Sequence, residues 1–145
     1  MTAREYLSQG YRLEQHIACD MLRAKTVRDF AMSIPSSFTD GDRVCTSIRE
    51  APFVRALERA EAMEERIKAE MDLLLALKEE MERVISSLPG EELRMILTFR
   101  YMDNKTFPEI AKILHISRNT VRARHDRALS WLVLPDRLID IRDFQ

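Results

Sequence analysis

Residues 106–122 read TFPEIAKILHISRNTVR, and this stretch contains two helix starts. Thr106 stands three residues before Glu109, the spacing of a capping box, and Pro108 falls in the first turn, where its missing N–H costs no helical bond. Ile110, Ala111, Ile113 and Leu114 then fall at helical intervals and are expected to face inward. After the turn His115-Ile116-Ser117, Ser117 has the hydroxyl of an N-cap for a second helix, predicted from Arg118 to about Leu132. Its expected inner stripe is Val121, Ala128, Leu129 and Leu132, which leaves Arg118, Asn119 and Arg122 outward near the helix start. Two short helices joined by a tight turn, the second offering cationic and amide groups from its first turns, form a helix-turn-helix whose second helix fits a major groove.

Charge points the same way. The chain as a whole carries a net charge of -1, but from Asn104 to Trp131 the bases Lys105, Lys112, Arg118, Arg122, Arg124 and Arg127 face only the acids Glu109 and Asp126. Such a local excess suits a polyanion, and double-stranded DNA is the expected partner. Arg donates bidentately to guanine and Asn pairs with adenine, so Arg118, Asn119 and Arg122 are candidate base readers. Lys105, Thr106, Lys112, Ser117, Thr120, Arg124 and Arg127 are candidate phosphate contacts.

Upstream, Glu91 to Met102 predicts a short buried helix through Leu93, Ile96, Leu97, Phe99 and Tyr101. Leu88-Pro89-Gly90 ends whatever precedes it. From Phe53 to Leu88, steps of four and three through positions 53, 57, 60, 64, 67, 71, 74, 78, 81, 85 and 88 trace an apolar seam interrupted by Glu64 and Lys78. Such a stripe needs a partner: the chain's own first helix, or a second copy meeting it through Leu57, Ile67, Met71, Leu74, Met81 and Ile85, a dimer being the expected homo-oligomer. Thr2 to about Met32 predicts that first helix, with Tyr6, Leu13, Ile17, Ala24, Val27 and Ala31 on one face. Between them the Pro, Ser, Thr, Asp and Gly of residues 33–52 predict a loop, with Pro52 in the first turn of the helix after it. The organisation expected is therefore all-α: a long helical hairpin or coiled coil over residues 1–88, a helix-turn-helix domain over 89–134, and a tail over 135–145. In that tail Leu138, Ile139, Ile141 and Phe144 are apolar enough to dock on the domain before it.

Residues 88–132 resemble the C-terminal promoter-reading domain, region 4, of bacterial sigma factors: Leu88-Pro89, Phe99-Arg100-Tyr101, Thr106 with Glu109-Ile110-Ala111, Ser117-Arg118 with Thr120-Val121-Arg122, and Ala128-Leu129. The resemblance implies Arg118, Asn119, Arg122 and Ala123 as base-reading positions and RNA polymerase as a second partner. That family usually has a carboxylate where Asn119 stands, an amide where Ala123 stands, Gly in place of His115 and an apolar residue in place of Arg124, so a different DNA site is implied. The opening MTAREYLSQGYRLEQ and the two-helix front half are similar to small phage and prophage proteins of the ArpU type, regarded as transcriptional regulators of late genes or as proteins of unassigned function.

No Gly-rich phosphate loop or Ser, His and Asp arrangement argues for an enzyme, and no cofactor is implied. Cys19 and Cys45 lack zinc-site spacing and read as reduced structural thiols, and His16, His115 and His125 are given no metal or catalytic role. Trp131 is expected to pack beneath the domain. Without a signal peptide or membrane span the expected location is the cytoplasm. A phage-type transcription regulator is the reading this favours; a packaging adaptor like a small terminase and a polymerase-binding module are the alternatives.

Overall fold

A computed structural model describes residues 1–33 and 43–144, with side chains from Pro52 onward in the second segment. The described residues are helical and contain no strand: α1 (Ala3–Ser33), α2 (Arg43–Ser86), α3 (Glu91–Leu97) running on into a π-helical turn (Thr98–Met102), α4 (Phe107–Leu114), α5 (Arg118–Trp131) and a final 3-10 turn (Ile141–Phe144). Two compact units share the long helices, one made of residues 15–72 and the other of residues 1–14 with 73–145.

Residues 34–42 of the expected loop lie outside the described residues, and residues 43–52, expected as its second half, are helical instead. α2 begins at Arg43, so Pro52 lies inside the helix rather than in its first turn. A proline there removes one backbone bond and crowds the carbonyl four residues earlier, yet the helix continues through it.

Within residues 15–72, α1 and α2 run antiparallel, as the pairs His16–Glu70 and Arg28–Glu64 require. Burial also corrects the seam. The inward positions of α2 are Ala56, Ala60, Ile67, Leu77, Met81 and Val84, with Met63, Glu70 and Leu74 partly covered between them and Leu88 buried just past its end. Of each expected heptad pair one position is right (60, 67, 74, 81, 88), while the other stands one residue earlier than apolarity alone suggests. Phe53 and Met71 are consequently exposed, Met71 at 49%. Ile85 is buried beside the stripe, and Glu64 and Lys78 lie on its flank, where Glu64 accepts from Arg28 Nε at 3.0 Å and Lys78 pairs with Glu14.

In the other unit the start of α1 packs on the end of α2. Gly10 faces Met81: a Cβ there would stand 3.5 Å from Met81 Sδ, an ordinary van der Waals contact. Glu80 accepts from Tyr6 Oη at 2.8 Å and from the Ile139 N–H at 2.9 Å. The buried Gln9 amide closes the rest, donating to the Ile139 carbonyl at 3.1 Å and accepting from the Ile141 N–H at 2.9 Å. The tail thus docks on α1 and α2 and not on the helix-turn-helix domain before it, burying Ile141 while Phe144 stays exposed. These bonds supply partners for backbone groups that a buried segment without regular structure would otherwise leave unmet.

The domain after Pro89 is held by one cluster, Ile96 from α3, Ile110 and Ala111 from α4 and Val121 from α5, with Phe99, Phe107, Leu114 and Ile116 packed against it. α5 lies across both α3 and α4. Each fully buried Ile or Val contributes roughly 1.5–3 kcal/mol relative to exposure. Ile113 departs from expectation. It is 44% exposed, because an eight-residue helix covered on one side offers room inward for Ile110, Ala111 and Leu114 but not for a fourth residue between them.

Candidate nucleic-acid interface

Both helix starts form as their sequences require. The Thr106 hydroxyl accepts from the Glu109 N–H and the Glu109 carboxylate accepts from the Thr106 N–H at 3.2 Å, a reciprocal capping box. Ser117 accepts from the Thr120 N–H at 3.1 Å, and the two hydroxyls share a further bond at 2.8 Å. Replacing Thr106 by Ala should therefore cost about 1 kcal/mol, within the ~0.5–2 kcal/mol range of lost caps, and would appear as a lower urea midpoint at unchanged slope.

The turn between the helices depends on His115, which closes α4 at φ 56° and ψ 42° while its N–H donates to the Ala111 carbonyl. This is left-handed backbone, where a Cβ is crowded and glycine is not. His115→Gly should raise stability by up to about 1 kcal/mol, read as a higher melting temperature with the helix content retained.

α5 presents two faces. Val121, His125, Ala128 and Leu132, at steps of four, three and four, are buried, while Leu129 is partly covered. Arg118, Asn119, Arg122 and Ala123 are all exposed within its first two turns. Arg122 is braced: its Cζ lies 5.9 Å from the centroid of the Phe107 ring, over which Arg100 also sits at 4.8 Å. Cation–π contact of this kind narrows the conformations of a long side chain that would otherwise wander.

The other sequence-derived contact residues divide by environment. Lys112 and Arg127 are exposed, Arg127 lying 5.9 Å over Trp131, and Lys105 is half-buried. Thr106, Ser117 and Thr120 use their hydroxyls locally in the caps, though Thr106 and Ser117 stay exposed. Arg124 forms an ion pair with Glu92 of α3 and is half-buried, so it serves the packing of α3 on α5 instead of standing free. Trp131, expected beneath the domain, is 53% exposed at the end of α5, because Leu132 takes the inward position after Ala128.

His125 is the residue that sequence reasoning missed. Its side chain lies in the core, 2% exposed, with Nε2 2.8 Å from Tyr101 Oη and Nδ1 3.1 Å from Asp126 Oδ1. The Asp126 carboxylate has no proton to give, so Nδ1–H donates to it and Nε2 accepts from the tyrosine hydroxyl. Phe107 meets the ring edge-on at 5.0 Å. Burial pulls the imidazole below its usual pKa near 6.5, against the opposing pull of Asp126. The gap of seven between Val121 and Ala128 was the available signal, since an inner stripe needs an occupant at the intermediate step.

A neutral buried imidazole has a definite effect on stability against pH. With the folded pKa depressed, the unfolded chain binds the extra proton, so the contribution of His125 is present in full above about pH 6.5 and is lost as pH falls further. The difference in melting temperature between the native chain and a His125→Gln variant should shrink from pH 7.5 to pH 5; a constant difference would contradict the neutral assignment.

With this geometry in view, residues 78–132 match the protein family described as Sigma-70, region 4. The matched span runs from the last turns of α2 through α5, so the helix-turn-helix domain is sigma-region-4-like and includes the foot of the helix before it. No curated protein and no solved structure matches the chain. Among the described residues no helix is long and apolar enough to cross a membrane.

Proposed function

We propose that this chain is a sequence-specific DNA-binding transcription regulator that reads the major groove with the start of α5. The observation that carries this reading is the exposure of Arg118, Asn119, Arg122 and Ala123 together on the first two turns of a helix whose inner face is sealed into the core. Arg118 and Arg122 are the guanine readers and Asn119 the adenine reader, while Lys105, Lys112 and Arg127 neutralise phosphates around them. The likeness of residues 78–132 to sigma region 4 supports DNA as the ligand and RNA polymerase as a second contact. The likeness of the opening segment to ArpU-type proteins supports a phage or prophage setting.

Homo-oligomerisation, with a dimer as its smallest form, belongs to the same proposal. Much of the α2 stripe is buried within the chain, and the apolar side chains that remain outward in residues 15–72, among them Leu22, Phe30 and Met71, are what a second copy would cover. Two readers on one particle would convert modest single-domain affinity into useful occupancy. Light scattering at micromolar concentration should report at least a dimer, and a monomer there would remove this part of the proposal.

The whole reading is tested by selecting bound fragments from a bacterial genome carrying prophages with the purified full chain at near-physiological salt. One enriched motif is expected. A featureless smear would leave only phosphate attraction and favour a packaging adaptor or a polymerase-binding module instead.

A further inference from the structure

Within residues 15–72, His16 and Asp20 lie one turn apart on α1 and Glu70 reaches them from α2. His16 Nε2 stands 3.2 Å from Asp20 Oδ2 and 3.2 Å from Glu70 Oε1, and one donor atom from each residue lies within 4.8 Å of the others. Asp20 is 8% exposed, and its Oδ2, with Glu70 Oε2, is buried without receiving a hydrogen bond. Buried carboxylate oxygens left in that state are costly, so an additional cation is the natural complement.

From this we infer that His16, Asp20 and Glu70 form a binding site for a first-row transition-metal dication of the Zn2+ kind. One imidazole and two carboxylates suit such an ion better than an all-oxygen cation such as Ca2+. Metal–nitrogen and metal–oxygen bonds of ~2.0–2.2 Å in a tetrahedron place neighbouring donors roughly 3.4 Å apart, close to the 3.2 Å from His16 Nε2 to each carboxylate. His16 is the most exposed of the three and marks the side from which an ion enters and where a fourth ligand, water, completes the shell. Arg66 is the competitor, its Nε 3.1 Å from Glu70 Oε1, but its side chain is exposed and Glu70 Oε2 stays free for the metal. The bound ion would tie α1 to α2 within this unit, so the site is a structural brace for the hairpin.

The experiment is calorimetric titration of the metal-stripped full chain with ZnCl2 at pH 7.5, paired with thermal melting. Saturable binding of one ion per chain is expected, with a rise in melting temperature of roughly 5 °C at saturation. His16→Ala and Asp20→Asn should each weaken binding at least about ten-fold, and Cys19→Ser should leave it unchanged. Absence of saturable binding up to about 1 mM Zn2+ would overturn the site. Equal binding by native chain and both variants, or loss in Cys19→Ser, would overturn it by placing the ion elsewhere. Should the variants fail to fold, Mn2+ broadening of the His16 imidazole resonances in the native chain decides, selective broadening supporting the site and its absence refuting it.

Discussion

Replacing Arg118 and Arg122 together by alanine should lower affinity for the selected duplex by about 100-fold or more while leaving melting temperature within a degree or two of the native value. Both side chains are exposed, so neither contributes buried area whose loss would unfold the domain. Each bidentate base contact is worth about 1–3 kcal/mol of discrimination, and two on one helix face would compound. Specificity should fall together with affinity: the double variant should bind selected and scrambled duplexes alike. Lys112→Ala provides the contrast. It sits exposed in the last turn of α4, and as a phosphate contact its loss should weaken binding to every sequence equally and reduce the salt slope by about one. If the double variant retained its preference for the selected duplex, α5 would not be the reader.

The largest effect on stability is expected from Ile96→Ala, at roughly 2–5 kcal/mol. Ile96 is fully buried at the meeting point of three helices, against Ile110 and Ala111 of α4 and Val121 of α5. Its neighbours cannot relax into the space left behind, because α4 is held by its capping box and by the His115 turn, and α5 by Ser117 and the Arg124–Glu92 pair. A cavity that the surroundings cannot fill retains its full cost. For a chain whose entire stability is of the order of 5–15 kcal/mol, such a loss makes a substantial fraction unfolded at 37 °C. Urea denaturation should show a lowered midpoint, and DNA binding should fall only in proportion to the folded fraction. A cost below about 1 kcal/mol would mean that this cluster does not hold the domain together.

The helix-turn-helix was the most legible part of the chain because its signals are local. A hydroxyl three residues before a carboxylate, a proline in the first turn and a serine before the next helix each name one position by a hydrogen bond that must form there. What was harder to read depends on what packs on what. The α2 seam illustrates this: apolarity alone places Leu57 and Met71 on the stripe, yet Ala56 is buried where Leu57 is only partly covered and Met71 is exposed, since alanine counts for little on a hydropathy scale and for much where space is tight. Pro52 looked like a helix start because a proline is cheapest there, but a helix long enough tolerates one missing bond in its interior.

At the candidate interface, the outward face of α5 followed from its inner stripe, whereas the roles of the other cations did not. Arg124 looks like any other base in a basic stretch, and only the position of Glu92 on α3 shows that it has an acid to pair with. His125 seemed an isolated titratable group until Tyr101 and Phe107 were brought against it by the π-helical turn and by α4. His16 was set aside for want of companions, although Asp20 stands at the i+4 position on the same face; Glu70, fifty residues further on, could not be paired with them without the hairpin.

The most direct test of the reading helix is methylation interference on the selected duplex. Methylation of guanine N7 lies in the major groove and blocks the atom that Arg118 or Arg122 would contact. The account predicts that a few guanines, when methylated, exclude the duplex from the bound fraction, and that this pattern loses defined positions in the Arg118→Ala and Arg122→Ala variants. Interference confined to minor-groove adenine N3, or a guanine pattern unchanged by both substitutions, would contradict it.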